Sequence, residues 1–419
     1  MTPKAVLRKY FNLSEVAEHL SSVTQIHHHQ EVAPQSVGLT EASIAAIWQR
    51  VEQLYATGTQ PAIQLCVRRR GEIVMNRAIG HARGNGPLDT HRSHKVALTP
   101  ETPFCFFSSS KAVTALLMHK LAEEGGINLL DPVSHYLPEF AKNGKRTITI
   151  HQILSHRGGI PGIPSDVPLD TLWDGQAIWQ MLCEARPITV DGGKLAYHAI
   201  TGGYVLGKVL EKVSGQSIQS YLDDRLRKPL GMKYFTFGIP EGDNSALAQN
   251  YVTGPIPRFP VSWIVRRALG ADIQTVERVA NDPRFHKVVI PAGNLVGTAE
   301  EMSRFFQMML NEGKWKRRRV CQPMTIQRAT QEFGALQWDR TLMVPMRYSA
   351  GMMLGGEPFG FWGPHSRRAF GHLGLINKLC WADPDREIAV ALLTSGIPIL
   401  AHHIPDLIRF VMTVCHETR

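Results

Sequence analysis

The sequence predicts an α/β protein in which one antiparallel sheet is built from both ends of the chain and is flanked by helices. Strand-like runs occur early, at residues 62–80, and return late, at residues 368–396, whereas the residues between carry mostly helical patterns broken by Gly and Pro. Strands that must bury an apolar face need partners, and here the partners lie at opposite ends of the chain. We therefore expect an α/β body interrupted by an inserted, mainly helical region.

The elements follow in order along the chain. Apolar residues from Ile44 to Tyr55 recur every three or four positions, which predicts an amphipathic helix after Thr40 that ends at Gly58. Two extended runs flank Arg70-Gly71 and predict a hairpin. An apolar helix is expected near residues 398–414. We expect an N-terminal extension (1–39), an α/β domain (40–110 with 289–419) and an inserted helical region (111–288), whose loop-rich part at 234–289 is expected to form a lid over the active site.

Composition bounds the class of protein. The chain has 419 residues, of which 43% are hydrophobic and 20% charged, as in ordinary globular proteins. Its formal net charge is +10, and the densest basic cluster, Lys314 to Arg319, lacks the aromatic interleaving of a nucleic-acid surface, so we expect no nucleic-acid partner. Six widely spaced cysteines predict reduced thiols, and no apolar run is long enough for a signal peptide or membrane span. Cytoplasmic residence is the expectation; the oligomeric state stays open.

The stretch FCFFSSSKAVTALL, from Phe104 to Leu117, contains the first candidate site. Ser108 and Lys111 are three positions apart, and such residues share one face of a helix. A lysine activates a serine when burial lowers the pKa of its amine toward neutrality. The apolar residues around Lys111 predict that burial. A serine-rich helix start with a solvated lysine is the alternative interpretation.

Two later segments hold further candidates. Tyr197, in GGKLAYHAITGG, precedes a helix rich in small residues, where its hydroxyl could shuttle a proton; a core tyrosine is the alternative. His372 lies between Gly371 and Gly374, which suggests backbone held close to a cleft; a solvent-facing histidine on an edge strand is the alternative. The sequence contains no G-x-S-x-G, no P-loop and no dinucleotide-binding glycine motif, and histidines such as His151 and His156 lack a second ligand at metal spacing. The triplet from His27 to His29 is interpreted as part of a flexible N-terminal lead-in, with metal binding as the alternative.

These segments, in this order, resemble the serine β-lactamase and penicillin-binding-protein superfamily, and in particular the class C β-lactamase-like branch that includes the family VIII carboxylesterases. Three further segments are similar to that branch: GGINLLDPVSHYLPEF (125–140), ITIHQILSHRGGIPG (148–162) and PAGNLVGTAEEMSRFFQMMLNEG (291–313). The resemblance covers residues 40 to 419. It implies a β-lactamase/transpeptidase-like fold and requires no metal or cofactor.

The resemblance also implies roles for single residues. Ser108 would be the acylated nucleophile, Lys111 its general base, and Tyr197 the group that activates water or protonates the leaving group. His372 and Gly374 match the first and third positions of the Lys-Thr-Gly element, and the N–H groups of Ser108 and Leu375 would form the oxyanion hole.

Two positions depart from the family pattern. Ala199 stands where the Tyr-x-Asn element has Asn, and His372 stands where the Lys-Thr-Gly element has Lys. Alanine makes no hydrogen bond and a neutral histidine holds a carboxylate less well than lysine, although Arg367 and Arg368 could restore an anion contact. We therefore expect a serine hydrolase acting as a carboxylesterase or acyltransferase on small uncharged esters. A β-lactam or D-amino-acid amide hydrolase and a non-catalytic scaffold are the alternatives.

Overall fold

A computed structural model describes residues 8–90, 92–163, 167–239, 246–375 and 377–419. Its centre is an antiparallel sheet in which the two ends of the chain pair side by side. The described strands are β1 (Thr24–Ile26), β2 (Ala62–Arg69), β3 (Glu72–Arg83), β4 (Val96–Ala97), β5 (Phe104–Cys105), β6 (Thr236–Phe237), β7 (Leu295–Gly297), β8 (Lys314–Trp315), β9 (Arg318–Arg319), β10 (Gln337–Asp339), β11 (Val344–Met346), β12 (Met353–Leu354), β13 (Phe359–Gly360), β14 (Gly363–Pro364), β15 (Phe370–Gly374), β16 (Lys378–Asp383) and β17 (Ile388–Thr394).

The main sheet has the strand order β1-β3-β2-β17-β16-β15-β12, and β4 adds to β3. Strand β2 pairs with β17 from Ile63 opposite Thr394 to Arg69 opposite Ile388, so an early and a late strand lie together in the middle. The predicted α/β fold with an antiparallel sheet from both termini is thereby confirmed. The division into domains stays a prediction, and β1 adds part of the segment before Thr40 to the sheet edge.

Helices cover both faces of this sheet. The described α-helices are α1 (Glu41–Ala56), α2 (Ser110–Glu123), α3 (Val133–Tyr136), α4 (Ile150–Leu154), α5 (Gly175–Glu184), α6 (Thr201–Ser214), α7 (Ile218–Leu222), α8 (Lys228–Leu230), α9 (Val261–Leu269), α10 (Ile273–Asn281), α11 (Ala299–Leu310), α12 (Pro323–Thr330) and α13 (Ile404–Glu417). Helices α1 and α13 pack against each other and one apolar cluster of the sheet, whereas α11 packs on β2, β16 and β17. Helix α2 belongs to the second cluster, which continues into the helical part.

Local sequence explains several element ends. Arg70 and Gly71 have φ values of 51° and 91°, so they form a two-residue turn with positive φ at both positions, which suits the twist of β2 and β3. Thr40 caps α1, and Thr298 and Glu301 form a capping box on α11.

The C-terminal helix begins later than its apolar pattern predicts. It starts at Ile404, because the preceding residues form a packed turn in which Ile399 and Ala401 are buried. Pro405 then takes the second helical position, where a missing N–H costs nothing.

The structure also bears on the expected free thiols and on the search for a membrane-spanning segment. All six cysteines are buried free thiols, as predicted. No helix in the described part of the chain is long and apolar enough to cross a lipid bilayer.

Candidate active site

Ser108 is the only serine of its triplet whose hydroxyl faces open space. A short 3-10 helix, Phe107–Ser109, leads into α2 and leaves Ser108 half-buried at the wall of a cavity. The Ser109 hydroxyl donates to the His372 carbonyl at 3.0 Å. The Ser110 hydroxyl donates to the Phe107 carbonyl at 2.5 Å and accepts the Leu295 N–H at 3.1 Å. The hydroxyls of Ser109 and Ser110 therefore stabilise the turn, whereas the hydroxyl of Ser108 makes no bond to the backbone of the described residues and faces the cavity.

Lys111 has the burial and the contact with Ser108 that a general base requires. Its side chain is buried on the first turn of α2, and its Nζ lies 3.1 Å from Oγ of Ser108 and 3.1 Å from the carbonyl oxygen of Ala292. Burial lowers the pKa of Lys111 well below its ordinary value, and within the described residues no carboxylate forms an ion pair with it. The amine can thus accept the proton of the Ser108 hydroxyl.

Tyr197 completes a three-residue cluster around Oγ of Ser108. The Tyr197 side chain lies close enough to the Ser108 hydroxyl for the two to interact, and Nζ of Lys111 lies 4.8 Å from the centre of the Tyr197 ring. Burial raises the pKa of Tyr197 above its ordinary value, so the phenol stays protonated and can donate. Chain positions 108, 111 and 197 are therefore brought together as expected.

His372 lies on β15, behind the cluster. Its Nδ1–H donates to the Leu373 carbonyl at 2.8 Å. Burial, together with the nearby Lys111 amine, lowers the pKa of His372 to about 3, so the imidazole is neutral at pH 7. Its ring centre is 6.1 Å from that of Tyr197, and its Nε2 has no hydrogen-bond partner among the described residues. A neutral, buried ring cannot provide the positive charge that a lysine would offer there.

Gly374 and Leu375 bring the end of β15 against the serine. A Cβ on Gly374 would lie 2.3 Å from the carbonyl oxygen of Phe106, so only glycine permits this approach. Leu375 has a φ of 43° and lines the same cavity as Ser108. Among the described residues neither the Ser108 nor the Leu375 N–H has a hydrogen-bond acceptor, which leaves both available to an oxyanion.

Sequence reasoning missed a supporting layer behind Tyr197. The His156 ring packs 4.6 Å from the Tyr197 ring, and His156 Nδ1 accepts the His198 N–H at 3.2 Å. Asp339, which is fully buried, accepts the backbone N–H of Tyr197 at 3.2 Å. Burial lowers the pKa of His156 well below its ordinary value. Nothing in the sequence signals these contacts, because Asp339 is 142 residues from Tyr197.

The cavity beside Ser108 has a volume of about 160 Å³ and apolar walls. The loop-rich stretch 234–289, expected to be a lid, contributes Ala268, Leu269, Val276 and Phe285 to those walls. None of the described lining side chains is charged, and Thr171 and Thr275 supply the hydroxyls besides that of Ser108. The lining residues are Phe107, Ser108, Gly162, Ile163, Val167, Pro168, Thr171, Leu172, Ile178, Ala199, Ile200, Ala268, Leu269, Gly270, Ala271, Thr275, Val276, Val279, Ala280, Phe285, Ile290, Ala292, Gly293 and Leu375.

The two arginines suggested as an anion contact do not lie at the cavity. Arg367 and Arg368 are exposed and do not line the cavity, and Arg368 donates to Asp385 at 2.7 Å. Within the described residues there is no group of three side chains that could hold a metal ion.

Comparison with known proteins agrees with this geometry. The model of the Beta-lactamase family matches residues 48–403, so the chain belongs to that family and to the serine hydrolase superfamily. The chain is 28% identical to the esterase/beta-lactamase LipL of Mycobacterium tuberculosis over 302 residues, which are 70% of this chain and 68% of LipL. It is 26% identical to Protein flp of Staphylococcus aureus, but spans half of that protein's length and 65% of its own.

Solved structures show the same fold. A penicillin-binding protein homologue from Caulobacter crescentus superposes with a TM-score of 0.76 at 26% identity, covering 91% of this chain and 99% of that one. A family VIII carboxylesterase gives a TM-score of 0.74 at 23% identity, with coverage of 89% and 98%. At 23% identity, the match with the carboxylesterase supports only the shared fold.

Proposed function

We propose that the protein is a carboxylesterase that forms an acyl-enzyme at Ser108 and acts on small, uncharged esters. The observation that carries this proposal is the contact between the buried amine of Lys111 and Oγ of Ser108, 3.1 Å apart, at the wall of an uncharged cavity. Burial lowers the pKa of this amine and so favours the neutral form that can accept a proton, and a serine facing a cavity can reach a substrate.

Acylation of Ser108 uses Lys111, Tyr197 and the two backbone N–H groups. Oγ of Ser108 attacks the ester carbonyl carbon while its proton moves to Nζ of Lys111. The N–H groups of Ser108 and Leu375 hold the oxyanion that forms. The carbon–oxygen bond to the alcohol then breaks, and the leaving oxygen takes the hydroxyl proton of Tyr197, which Lys111 replaces.

Deacylation runs through the same groups in reverse. A water molecule gives a proton to Lys111 or Tyr197 and attacks the acyl carbon. The bond to Oγ of Ser108 then breaks, and the proton is returned to that oxygen. An alcohol in place of water gives acyl transfer to that alcohol. No cofactor takes part in either step. We also propose cytoplasmic residence, which the six unpaired cysteines support.

The preference for uncharged esters follows from the groups around the cavity. A carboxylate in the substrate would lose its hydration, and no described lining side chain carries a compensating positive charge. His372 is neutral because burial lowers its pKa to about 3. Ala199 lines the cavity with a methyl group and offers no hydrogen bond to an amide. Both features favour esters over β-lactams and D-amino-acid amides.

The test compares the wild type with Ser108→Ala and Ser109→Ala. We expect hydrolysis of p-nitrophenyl butyrate and labelling by a fluorophosphonate to be lost in Ser108→Ala. Labelling should persist in Ser109→Ala, because that hydroxyl faces the His372 carbonyl instead of the cavity. Equal hydrolysis by the wild type and Ser108→Ala would overturn the proposal.

Two further substrates test the specificity. Mono-p-nitrophenyl succinate matches the butyrate in chain length but carries a carboxylate, and we expect its kcat/KM to be lower by roughly tenfold or more. Nitrocefin should be turned over far more slowly than the butyrate ester. Faster turnover of nitrocefin would instead support the β-lactam hydrolase alternative.

A further inference from the structure

The segment 246–289, which contributes residues to the cavity walls, exposes large aromatic side chains on its outer side. Phe259 is 82% exposed and Trp263, on α9, is 48% exposed. Trp338, on the neighbouring strand β10, is 55% exposed. Burying a tryptophan or phenylalanine side chain is strongly favourable, so leaving one in water is costly. Several exposed rings on one surface therefore indicate an interaction site.

The two tryptophans lie on one continuous surface. Trp263 and Trp338 line the same groove, of about 550 Å³, together with Arg267 and Arg340. Arg267 joins the two elements, because its Nε donates to the Arg340 carbonyl at 3.0 Å while its guanidinium lies 5.4 Å from the centre of the Trp263 ring. We define the tryptophan face as Phe259, Trp263, Arg266, Arg267, Trp338 and Arg340.

The charge of this face is positive. Arg266, Arg267 and Arg340 are exposed, and Lys194 lines the groove beside them. Among the described residues, the Asp272 carboxylate lies 3.6 Å from Arg266 and offsets the charge of that one cation.

Two other described carboxylates lie near the groove. Asp191 lies near Lys194, and its Oδ1 accepts the Gly193 N–H at 2.8 Å. Asp339 is fully buried and accepts backbone N–H groups. Within the described residues, the exposed cations Arg266, Arg267, Arg340 and Lys194 therefore outnumber the accessible carboxylates of Asp191 and Asp272.

Helix α9 places this face at the active site. Its inner side buries Val265, and Ala268 and Leu269 line the cavity that holds Ser108, whereas Trp263, Arg266 and Arg267 point outward. An amphipathic helix with aromatic and arginine side chains outward matches the chemistry of a lipid interface: the rings enter the acyl boundary and the guanidinium groups pair with anionic headgroups.

We propose that the tryptophan face binds the surface of an anionic lipid membrane, so that the protein is a peripheral membrane binder through α9 and β10. The proposal goes beyond ester hydrolysis and does not depend on it. Charge complementarity selects this occupant: the face is cationic, and the chain has a formal net charge of +10.

The chain also contains a matched basic surface without exposed aromatics. The hairpin β8–β9 exposes Lys316, Arg317 and Arg318, but its Trp315 is half-buried under the guanidinium groups of Arg68 and Arg304, 5.2 Å and 5.6 Å from the ring centre. Non-specific attraction would use both surfaces equally, whereas the proposed site requires the one with exposed rings.

The experiment measures sedimentation of the full chain with vesicles. Wild-type protein should bind vesicles of phosphatidylglycerol and phosphatidylcholine, and should bind phosphatidylcholine alone much more weakly. Arg266→Gln/Arg267→Gln should weaken the partition coefficient roughly 30-fold, since each basic residue near an anionic surface contributes about tenfold or less. Trp263→Ser/Trp338→Ser should weaken it by at least tenfold. The control, Arg317→Gln/Arg318→Gln, removes the same charge and should stay within threefold of the wild type.

A second measurement reports directly on the contact between the tryptophan rings and the acyl chains, and its first result needs only the wild-type protein. Vesicles containing brominated phosphatidylcholine should quench the tryptophan fluorescence of the wild type, and the quenching should fall in Trp263→Ser/Trp338→Ser. The proposal is overturned if the wild type fails to bind anionic vesicles, or if the control loses as much binding as the Arg266/Arg267 variant. Binding of single-stranded DNA or heparin without binding of vesicles would likewise overturn it in favour of a polyanion surface.

Discussion

Lys111 and Lys378 are both buried lysines, yet their surroundings differ. Each side chain lies among apolar groups, and in the described part of the chain neither forms an ion pair. Burial lowers the pKa of Lys111 well below its ordinary value and that of Lys378 to about 8. Burial of an unpaired lysine is therefore not by itself the mark of a catalytic base.

The difference lies in what each amine contacts. Nζ of Lys378, on β16, donates to the Thr394 carbonyl at 2.5 Å and lies 4.7 Å from the centre of the Phe107 ring. A carbonyl oxygen has no proton to give. Nζ of Lys111 instead contacts the hydroxyl of Ser108, which is half-buried beside a cavity. A neutral amine becomes a useful base only where its neighbour carries a transferable proton that a substrate can reach.

The largest effect should come from replacing the two lysines one at a time. Lys111→Met is expected to lower kcat/KM for p-nitrophenyl butyrate by roughly 10⁴-fold, because Ser108 loses its base. Lys378→Met should keep the activity within severalfold of the wild type, since its Nζ donates to the Thr394 carbonyl and touches the cavity only at the Phe107 ring, which carries no transferable proton. Steady-state kinetics of both variants, with circular dichroism to verify folding, measures the contrast. Similar losses of kcat/KM in both variants would contradict the distinction between the two lysines.

The next largest effect concerns the hydroxyl of Tyr197. Tyr197→Phe should lower kcat by roughly 10²–10³-fold with little change in stability, because the ring packing on His156 is retained while the proton donor is lost. The slope of kcat against the pKa of the leaving alcohol should steepen in the variant, which a purely structural role would not produce. An unchanged slope would remove Tyr197 from the proton transfer.

The smallest effect is on stability and belongs to Lys378. Its folded pKa of about 8 lies below its ordinary value of 10.5, so between these pH values the unfolded state binds more protons and the unfolding free energy rises with pH. The penalty for burying this amine is present below pH 8 and is relieved above 10.5. The advantage of Lys378→Met over the wild type should therefore shrink across that window by about 3 kcal/mol.

Urea unfolding of both proteins from pH 7.5 to 10.5 checks this window. Lys111 is present in both, so its own titration cancels in the difference. Parallel stability curves would mean that Lys378 keeps an ordinary pKa in the folded protein.

The predictions from sequence succeeded where one pattern is local or strongly periodic. The helix after Thr40, the hairpin at Arg70-Gly71 and the late strands rest on periodicity and turn chemistry, which neighbouring residues specify. The proximity of Ser108 and Lys111 follows from helical spacing. The late start of α13 was missed, because the packing of Ile399 and Ala401 overrides an apolar pattern that suits a helix.

The sequence by itself determined the strongly periodic elements, the antiparallel sheet from both termini and the pairing of a serine with a lysine one helical turn away. Only the tertiary structure decided which of the three serines faces the cavity, that His372 is buried and neutral, and that Asp339 and His156 support Tyr197. It also decided that Trp263 and Trp338 share one cationic surface. The physical reason is that burial and pKa depend on groups far apart in the chain, which folding alone brings into contact.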